Sequence, residues 1–137
     1  ESKYMNDCVF CKLISENKMM KVYEDEWTVA FMDIAKDVDG HILAIPKKHV
    51  KNILDCDEET LYKLMASVKK VSNHLVNNCG YDGVNLLNAS GKSAGQSVSH
   101  FHIHIIPRKN NDCVDAWPKF DGAKQDTEVL WEKMKLE

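Results

Sequence analysis

Residues Ser97–Arg108 read SVSHFHIHIIPR and place three of the six histidines of the chain at alternate positions. Successive side chains of a β-strand point to opposite faces of a sheet, so the alternation predicts a strand that ends near Ile106. Its two faces carry different side chains: His100, His102 and His104 on one, and Phe101, Ile103 and Ile105 on the other. The apolar face predicts contact with a core, whereas three imidazoles in succession indicate a chemical site.

The segments around this row predict an α+β fold. Apolar residues from about Asp57 to Asn78 recur at three- and four-residue intervals, which is typical of a helix with one buried face. Asp55 or Asp57 can cap its first amides and Gly80 can end it. Shorter helices are predicted over residues 8–16 and 127–136, and strands within 20–33, at 41–45 and at 84–88. Strands without repeated intervening helices favour an antiparallel sheet of about five strands, covered by the long helix.

The length and composition of the chain limit the classes of protein to which it can belong. With 137 residues and 44% hydrophobic content, the chain is expected to form one domain, residues 1–137, with its own core. Its 18 basic and 21 acidic residues give a net charge of -3, which offers no general attraction to nucleic acid or to an anionic membrane. No apolar run reaches the roughly 20 residues that span a bilayer, and the first residues lack a signal core, so a cytoplasmic location is expected.

Two kinds of chemistry can use a row of imidazoles. Three histidines can bind a catalytic metal ion with water as the fourth ligand, although three side chains along one strand converge poorly on one ion. Alternatively, one imidazole attacks an anionic centre that nearby donors hold. The loop before the row suits the second use, because Gly95 lets backbone amides approach an anion. Side-chain donors are available from Asn88, Gln96 and Ser97, and positive charge from Lys47, Lys48, Lys51 and Arg108.

At these residues the sequence resembles the histidine triad (HIT) superfamily. The run His100–Ile106 (HFHIHII) matches the family signature of three histidines alternating with apolar residues, and Gly95–Val98 matches its phosphate loop. The resemblance continues through Cys8–Ile14 (CVFCKLI), Phe31–Ile34 (FMDI) and Ile45–His49 (IPKKH). It therefore covers a core of about residues 4–108, and residues 109–137 form a tail where HIT subfamilies differ most.

The resemblance implies nucleotide chemistry, because HIT proteins bind a purine nucleoside phosphate and cleave the bond between its α-phosphorus and a leaving group. The middle histidine, His102, would be the nucleophile and form a covalent nucleotidyl intermediate that water hydrolyses. A reference pKa of about 6.5 leaves an imidazole mostly neutral at pH 7, as this step requires. The carbonyl of His100 would fix the tautomer, and His104 would contact the phosphate or the leaving group. Further hydrogen bonds are expected from Asn88, Gly95, Gln96 and Ser97.

The same resemblance assigns residues to the nucleoside. Asp33 matches the acidic residue that holds the ribose hydroxyls, and four apolar residues match the clamp around the base: Val9, Phe10, Phe31 and Ile34. From the hydrophobic pattern alone, Phe31 and Ile34 are equally well explained by an ordinary core. His41 has no assigned task and is expected to pack beneath the sheet.

The spacing Cys8-x-x-Cys11 is compatible with zinc, and buried thiols without a metal are the alternative. Five cysteines, an odd number, do not suggest a disulfide framework. Some HIT proteins combine two such cysteines with two histidines in a structural zinc site, and by resemblance the ligands are Cys8, Cys11, His49 and His100. Four protein ligands leave no open position, so the Zn²⁺ is expected to hold the fold together rather than activate water.

The resemblance implies one preferred function and several alternatives. We expect hydrolysis of a purine nucleoside 5′-phosphoramidate or a related AMP conjugate, as in the zinc-containing phosphoramidase group, with no cofactor needed for the chemistry. Hydrolysis of dinucleoside polyphosphates is an alternative, because His104–Lys109 (HIIPRK) is more similar to that branch than to phosphoramidases, which continue with glycines. The others are a nucleotide-binding adaptor without catalysis and a three-histidine metalloenzyme. HIT proteins of this size form two-fold dimers, so a homodimer is also implied.

Overall fold

The computed structural model describes residues 7–136, in which the chain forms five strands and three α-helices. The strands are β1 (Lys21–Glu24), β2 (Thr28–Met32), β3 (Ile42–Pro46), β4 (Gly83–Leu87) and β5 (Ile103–Arg108). The helices are α1 (Val9–Glu16), α2 (Glu58–Asn78) and α3 (Thr127–Met134). All neighbouring strands are antiparallel, in the order β1-β2-β3-β5-β4. The predicted α+β fold, with a five-stranded antiparallel sheet, one long helix and short terminal helices, is confirmed.

The long helix α2 covers one face of the sheet. Of the two predicted caps, Asp57 is the one that caps the helix, because its carboxylate accepts hydrogen bonds from the backbone N–H and the hydroxyl of Thr60. The bond from the Thr60 amide, together with an ion pair to Lys48, lowers the pKa of Asp57 to about 2. The core on this face combines residues of the helix and the sheet: Leu64, Val68, Val71, Leu75, Ala30, Ile42, Ala44, Phe101, Ile103 and Ile105. The apolar side of the histidine row therefore packs against α2, as predicted.

The short helix α1 packs against the opposite face. A second buried cluster joins it to alternate residues of the two central strands: Phe10, Val29, Phe31, Leu43 and Ile45. Both faces of β3 are therefore covered, and every residue of this strand is buried. The Phe10 ring contacts the rings of His100 and His102 edge-on, at centroid distances of 5.8 and 5.3 Å. The imidazole side of the row thus lies on the α1 side of the sheet.

The histidine row is only partly a strand. Because β5 begins at Ile103, His100 and His102 precede the sheet, whereas the sequence pattern predicted a strand through all three histidines. The ladder between β3 and β5 ends at the pair formed by Ala44 and Ile103. Beyond this pair the carbonyl of Pro46 accepts a hydrogen bond from the His100 ring, at 2.8 Å, instead of a strand amide. Side chains before Ile103 still alternate between the two faces, although their backbone does not pair with β3.

The tail begins with an anchored segment and continues in the exposed helix α3. Arg108, at the end of β5, donates to both carboxylate oxygens of Asp112 and to the side-chain oxygen of Asn85, and it also contacts the carbonyl of Val114. No described residue of α3 is buried. Within residues 7–136 no helix has the length and apolar character to cross a bilayer. The single-domain organisation, the core and tail boundary at residue 108 and the cytoplasmic location stay predictions, and residues 4–6 of the predicted core lie outside the described range.

Candidate active site

The middle histidine of the row, His102, is held by backbone contacts and is 6% exposed. Its Nδ1 lies 2.7 Å from the carbonyl oxygen of His100, so Nδ1 carries the proton and donates. In a neutral ring the lone pair is then on Nε2, the nitrogen that attacks in the expected reaction. The side-chain amide of Asn88 donates to the carbonyl of His102 at 2.8 Å. Two neighbours therefore fix both the tautomer of this ring and the backbone that carries it.

The third histidine, His104, belongs to a carboxylate cluster made of Asp33, Asp37, His41 and His104. Nδ1 of His104 lies 2.8 Å from Nε2 of His41, and Nδ1 of His41 lies 2.8 Å from Oδ1 of Asp37. Asp33 approaches the same His41 nitrogen at 3.6 Å. The hydrogen bond from His41 lowers the pKa of Asp37 and keeps that carboxylate ionised. Burial lowers the pKa of His104 to about 4, so this ring is neutral at physiological pH.

Two proton arrangements satisfy the distances in the carboxylate cluster. When His41 is neutral, its Nδ1 donates to Asp37 and its Nε2 accepts from Nδ1 of His104, which leaves a lone pair on Nε2 of His104. When His41 is protonated, its Nε2 donates to His104, and the proton of the neutral His104 is on its own Nε2. The cluster can therefore release or take up a proton at Nε2 of His104.

The role of His41 was missed by the sequence analysis. The prediction that this residue merely packs beneath the sheet is wrong, because the ring is buried, with 7% exposed, yet hydrogen-bonds at both nitrogens. Two features position it. Leu43 of β3 pairs with His104 of β5, and Gly40 has φ 77° with Pro107 only 2.7 Å from where a Cβ would lie. A histidine just before a strand that pairs with the histidine row was the available signal.

The first histidine, His100, belongs to a thiol cluster made of Cys8, Cys11, His49 and His100, whose potential ligand atoms lie within 4.8 Å of one another. Sγ of Cys8 lies 3.4 Å from Nδ1 of His100, and Sγ of Cys11 lies 3.4 Å from Nδ1 of His49. Nε2 of His100 donates to Pro46, so its Nδ1 lone pair is directed at the thiols. Burial lowers the pKa of His100 to about 4 and keeps the ring neutral. Two thiols and two imidazoles match the donor set of structural zinc.

A cavity of about 490 Å³ lies between α1, β2 and the residues that follow β2. Its lining includes all five residues predicted for the nucleoside: Val9, Phe10, Phe31, Asp33 and Ile34. Ile34 is 79% exposed, so it belongs to the cavity wall rather than to the core. Phe31 is buried and is part of both the core and the cavity wall. Phe10 joins this cavity to His102 through the ring contact described above. An apolar cavity with one carboxylate at its edge is suited to a flat apolar ring joined to a hydroxylated sugar.

The loop before the row is braced by Gln96. Its side-chain amide donates to the carbonyls of Lys51 and Val98, at 2.7 and 2.9 Å, and its oxygen accepts from the amide of Gly91. From its sequence position this side chain is expected to donate to a phosphate, whereas in the folded chain its hydrogen bonds hold the shape of the loop. The exposed Ser97 hydroxyl and the backbone around it remain the donors that can meet a phosphate.

The positive charges expected to attract a phosphate are mostly paired with carboxylates. Three of the four form ion pairs: Lys47 with Glu24, Lys48 with Asp57, and Arg108 with Asp112. The acidic neighbours offset the charge of these three cations, so the attraction of the four residues for a phosphate stays a prediction with less free charge behind it than the sequence alone indicates. Lys51 lines a separate cavity of about 510 Å³ beside Ser97 and the thiol cluster.

Comparison with known proteins decides the family. Residues 15–111 match the family model described as the HIT domain. The chain belongs to the HIT domain family. The matched segment contains the whole histidine row, the loop braced by Gln96 and the carboxylate cluster.

Two curated relatives of this HIT protein have names that state an activity. It is 32% identical over 130 residues to adenosine 5′-monophosphoramidase hnt1 of Schizosaccharomyces pombe, covering 93% of this chain and 95% of the relative. It is 40% identical over 114 residues to adenylylsulfatase HINT3 of Arabidopsis thaliana, covering 82% of this chain and 58% of the relative. A solved structure of a Zn-bound histidine triad family protein from Mycobacterium smegmatis is 32% identical, with a TM-score of 0.75 and 84% of each chain covered.

Proposed function

We propose that this HIT protein is a nucleotide hydrolase that cleaves purine nucleoside 5′-phosphoramidates or related AMP conjugates at the α-phosphorus. The observation that carries the proposal is His102, whose proton is fixed on Nδ1 so that Nε2 presents a lone pair next to the cavity of Phe10 and Asp33. The names of two relatives, a phosphoramidase and an adenylylsulfatase, support the same class.

In the first step Nε2 of His102 attacks the α-phosphorus, the bond from phosphorus to the leaving nitrogen breaks, and its electron pair stays on that nitrogen. The leaving nitrogen takes the proton from Nε2 of His104, while Nδ1 of His104 receives a proton from His41. The cluster starts with a protonated His41, which Asp37 and Asp33 stabilise, and ends with a neutral one. The products are a nucleotidyl-His102 and a free amine.

In the second step water attacks the phosphorus of nucleotidyl-His102, and the electron pair of the P–N bond returns to Nε2 of His102. Nε2 of His104 now accepts the proton that the water loses, and Nδ1 of His104 returns its proton to His41. The nucleoside monophosphate leaves and the cluster regains its starting protonation. Every proton is therefore accounted for by His41 and His104 with Asp37 as counter-ion, and the step uses no cofactor.

The remaining predicted residues hold the substrate. Asp33 accepts hydrogen bonds from the ribose hydroxyls, and the base lies between the apolar residues of α1 and β2, principally Phe10 and Phe31. Ser97 and the backbone at Gly95 donate to the phosphate, since Gln96 and Asn88 already hold the loop and the His102 backbone. Electrostatic stabilisation by such preset donors is commonly the largest contribution to catalysis of this kind.

The proposal is tested by trapping the intermediate. The protein is mixed with an adenosine 5′-phosphoramidate, quenched in acid-free denaturant, digested and analysed by mass spectrometry for an adenylyl group on His102. His102→Asn should give no adduct and should lower turnover by roughly a thousandfold or more, with AMP binding retained. An adduct on another residue, or turnover that survives in His102→Asn, would sink the proposal.

Two of the alternative functions are tested by the same assay. Dinucleoside polyphosphate hydrolysis is favoured by the sequence HIIPRK, and it predicts faster turnover of a diadenosine polyphosphate than of the phosphoramidate. A non-catalytic adaptor predicts nucleotide binding without turnover of either substrate. The three-histidine metalloenzyme finds no support in residues 7–136, because the three rings have different partners and do not form one ligand group.

We also propose that the thiol cluster binds Zn²⁺. The potential ligand atoms of Cys8, Cys11, His49 and His100 already meet in the structure, the His100 ring directs its Nδ1 lone pair at the thiols, and a related protein is named as Zn-bound. The bound ion supplies a cross-link between the N-terminal segment, the residues after β3 and the histidine row. Because all four ligands are protein atoms, this site offers no place for a reactive water.

A homodimer is proposed from the family resemblance. β4 pairs only with β5 within the described chain, so its other edge has free backbone groups that a second copy can cover. Leu86 on β4 and Tyr62 and Met65 on α2 are exposed apolar residues, at 45%, 62% and 40%. Light scattering after size exclusion should give twice the monomer mass for the wild-type protein. Leu86→Lys should give the mass of one monomer.

A further inference from the structure

A second cavity, of about 430 Å³, lies beside His104. Part of its lining belongs to the site described above, namely Asp37, His41, Asn88 and His104. The rest comes from the turn before β3, the end of β4, β5 and the anchored start of the tail: Val38, Leu87, Ala89, Ile106, Val114, Asp115 and Ala116. The Arg108 contact with the Val114 carbonyl ties this tail segment to β5. The cavity therefore adjoins the reaction centre, because the two share His104, His41 and Asn88.

The cavity lies where the leaving group of the proposed reaction must go. In phosphoryl transfer the attacking and leaving atoms are roughly in line on opposite sides of phosphorus. With the nucleoside beside Phe10 and Asp33 and His102 attacking, the leaving atom takes its proton from His104. His104 forms the wall of the second cavity, so the substituent on the leaving atom extends into that space.

Two carboxylates line this cavity, Asp37 and Asp115, and no lysine or arginine of the described chain is part of its lining. Asp37 hydrogen-bonds to His41, which carries the extra proton at the start of the proposed reaction, so the negative charge left to act on a leaving group is that of Asp115. Oδ1 of Asp115 accepts from the amide of Trp117 at 3.1 Å, which holds the carboxylate on the cavity rim. The hydrogen bond to Asp112 and, to a smaller extent, the charge of Asp115 raise the pKa of Arg108. The Arg108 guanidinium donates to Asp112. An anionic leaving group is therefore repelled, and a cationic one is attracted.

We propose that this cavity receives the leaving group and that Asp115 selects amines that carry a second positive charge. The inference rests on the proposed hydrolase function and deepens it, because it names the substrate class of the same site. The apolar residues contact the carbon chain of the amine, and the Asp115 carboxylate meets the distal ammonium. Polyphosphate and other anionic leaving groups are poor substrates on this account, which separates this chain from dinucleoside polyphosphate hydrolases.

Three substrates with leaving groups of nearly equal length isolate the effect of the charge at the far end of the leaving amine. They are the adenosine 5′-phosphoramidates of putrescine, pentylamine and δ-aminovalerate, whose chains end in an ammonium, a methyl group and a carboxylate. The three reacting P–N bonds are chemically similar, so differences in kcat/KM report the distal charge. The wild-type protein should prefer putrescine over pentylamine by about fivefold, the effect of one partly exposed ion pair, and pentylamine over δ-aminovalerate by a similar factor.

Two variants of Asp115 and a matched control test the residue itself. Asp115→Asn should remove most of the preference for the ammonium, and Asp115→Lys should reverse the order so that δ-aminovalerate becomes the best substrate. Asp121→Asn removes an exposed tail carboxylate that does not line the cavity and should keep the wild-type order. A gain of turnover on δ-aminovalerate in Asp115→Lys shows at the same time that this variant is folded.

The outcomes distinguish this inference from the function on which it rests. If none of the three substrates is cleaved, the proposed hydrolase function fails. If all three are cleaved at equal rates, or if Asp115→Lys leaves the order of preference unchanged, hydrolysis stands and the assignment of the cavity is overturned.

Discussion

The thiol cluster and the carboxylate cluster lie on either side of His102 and are built from similar parts. Each brings a histidine from an end of β3 to a histidine of the row, with ring centroids 4.9 Å apart for His49 and His100 and 5.0 Å apart for His41 and His104. In the first, the Nδ1 atoms point to sulfur, whereas in the second the two rings hydrogen-bond directly. Thiolates favour a metal ion, and carboxylates stabilise a proton. The partner side chain, rather than the imidazole, decides what a histidine does.

The largest effect is expected from removing a thiol. Cys11→Ser should abolish zinc binding and lower the free energy of unfolding by about 4 kcal/mol, the stabilisation that a ligand gives at roughly a thousand times its Kd. Metal content is measured by mass spectrometry after dialysis, and stability by urea unfolding. Cys113→Ser changes an exposed thiol outside the cluster and should leave both quantities unchanged. Equal zinc content in Cys11→Ser and the wild type would refute the metal assignment.

The next effect is expected from the carboxylate cluster and concerns rate rather than stability. His41→Asn interrupts the chain from Asp37 to His104 and should lower kcat by about a hundredfold, the usual scale of general acid and base catalysis. Zinc content should stay the same. Adding Asp37→Asn should cause little further loss, since residues that act as a unit are not additive. His74→Asn, on the exposed side of α2, serves as the control. Full turnover in His41→Asn would show that the proton takes another route.

A pH dependence of stability is expected from the buried ring of His104. Its pKa is about 4 in the folded protein and about 6.5 in the unfolded chain, so the unfolded chain binds the proton first as the pH falls. The free energy of unfolding is therefore unaffected above about pH 6.5 and decreases between pH 6.5 and 4. One proton corresponds to about 1.4 kcal/mol per pH unit, and the partial exposure of His104 places its contribution below that limit.

Urea unfolding of variants between pH 4 and 7 checks this sign. His104→Asn should show a shallower dependence on pH than the wild type. His74→Asn, which removes an exposed imidazole, should follow the wild-type curve. A His104→Asn curve that coincides with the wild type would mean that the ring is protonated as easily in the folded protein as in the unfolded chain.

The smallest effect is expected at Phe10, which contacts both His100 and His102. Phe10→Leu keeps an apolar side chain but removes the ring, and should raise KM for an AMP conjugate by about threefold to tenfold, corresponding to about 0.5–1.5 kcal/mol. Calorimetric titration with AMP measures the same loss directly. Phe120→Leu alters an aromatic residue of the tail that is 79% exposed and should bind AMP as the wild type does. Equal affinities for both variants would place the base elsewhere.

Much of the fold was predictable because periodicity reports which face of an element is buried. The spacing of apolar residues gave α2 with its Asp57 cap, and the alternation at residues 97–106 separated the core side of the row from its chemical side. The start of β5 was not predictable from alternation. It depends on the carbonyl of Pro46, which bonds the His100 ring and ends the ladder at Ile103.

The site was predictable where one short segment carries the signal and not where distant segments meet. His102 and its tautomer follow from adjacent residues, whereas the contact of His41 with His104 spans the pairing of β3 with β5. The positive charge available to attract a phosphate was overestimated for a related reason. The sequence shows Lys47 beside His49 but not Glu24 on β1, which pairs with that lysine in the folded chain.

The placement of Phe10 inside the four residues from Cys8 to Cys11 has an evolutionary consequence. A lineage can exchange both thiols for large apolar residues and still keep the aromatic ring against His102, provided that the new side chains fill the same space. A bound ion would then be one of two ways to hold the start of α1 in place, and the reaction at His102 would not depend on which of the two a chain uses.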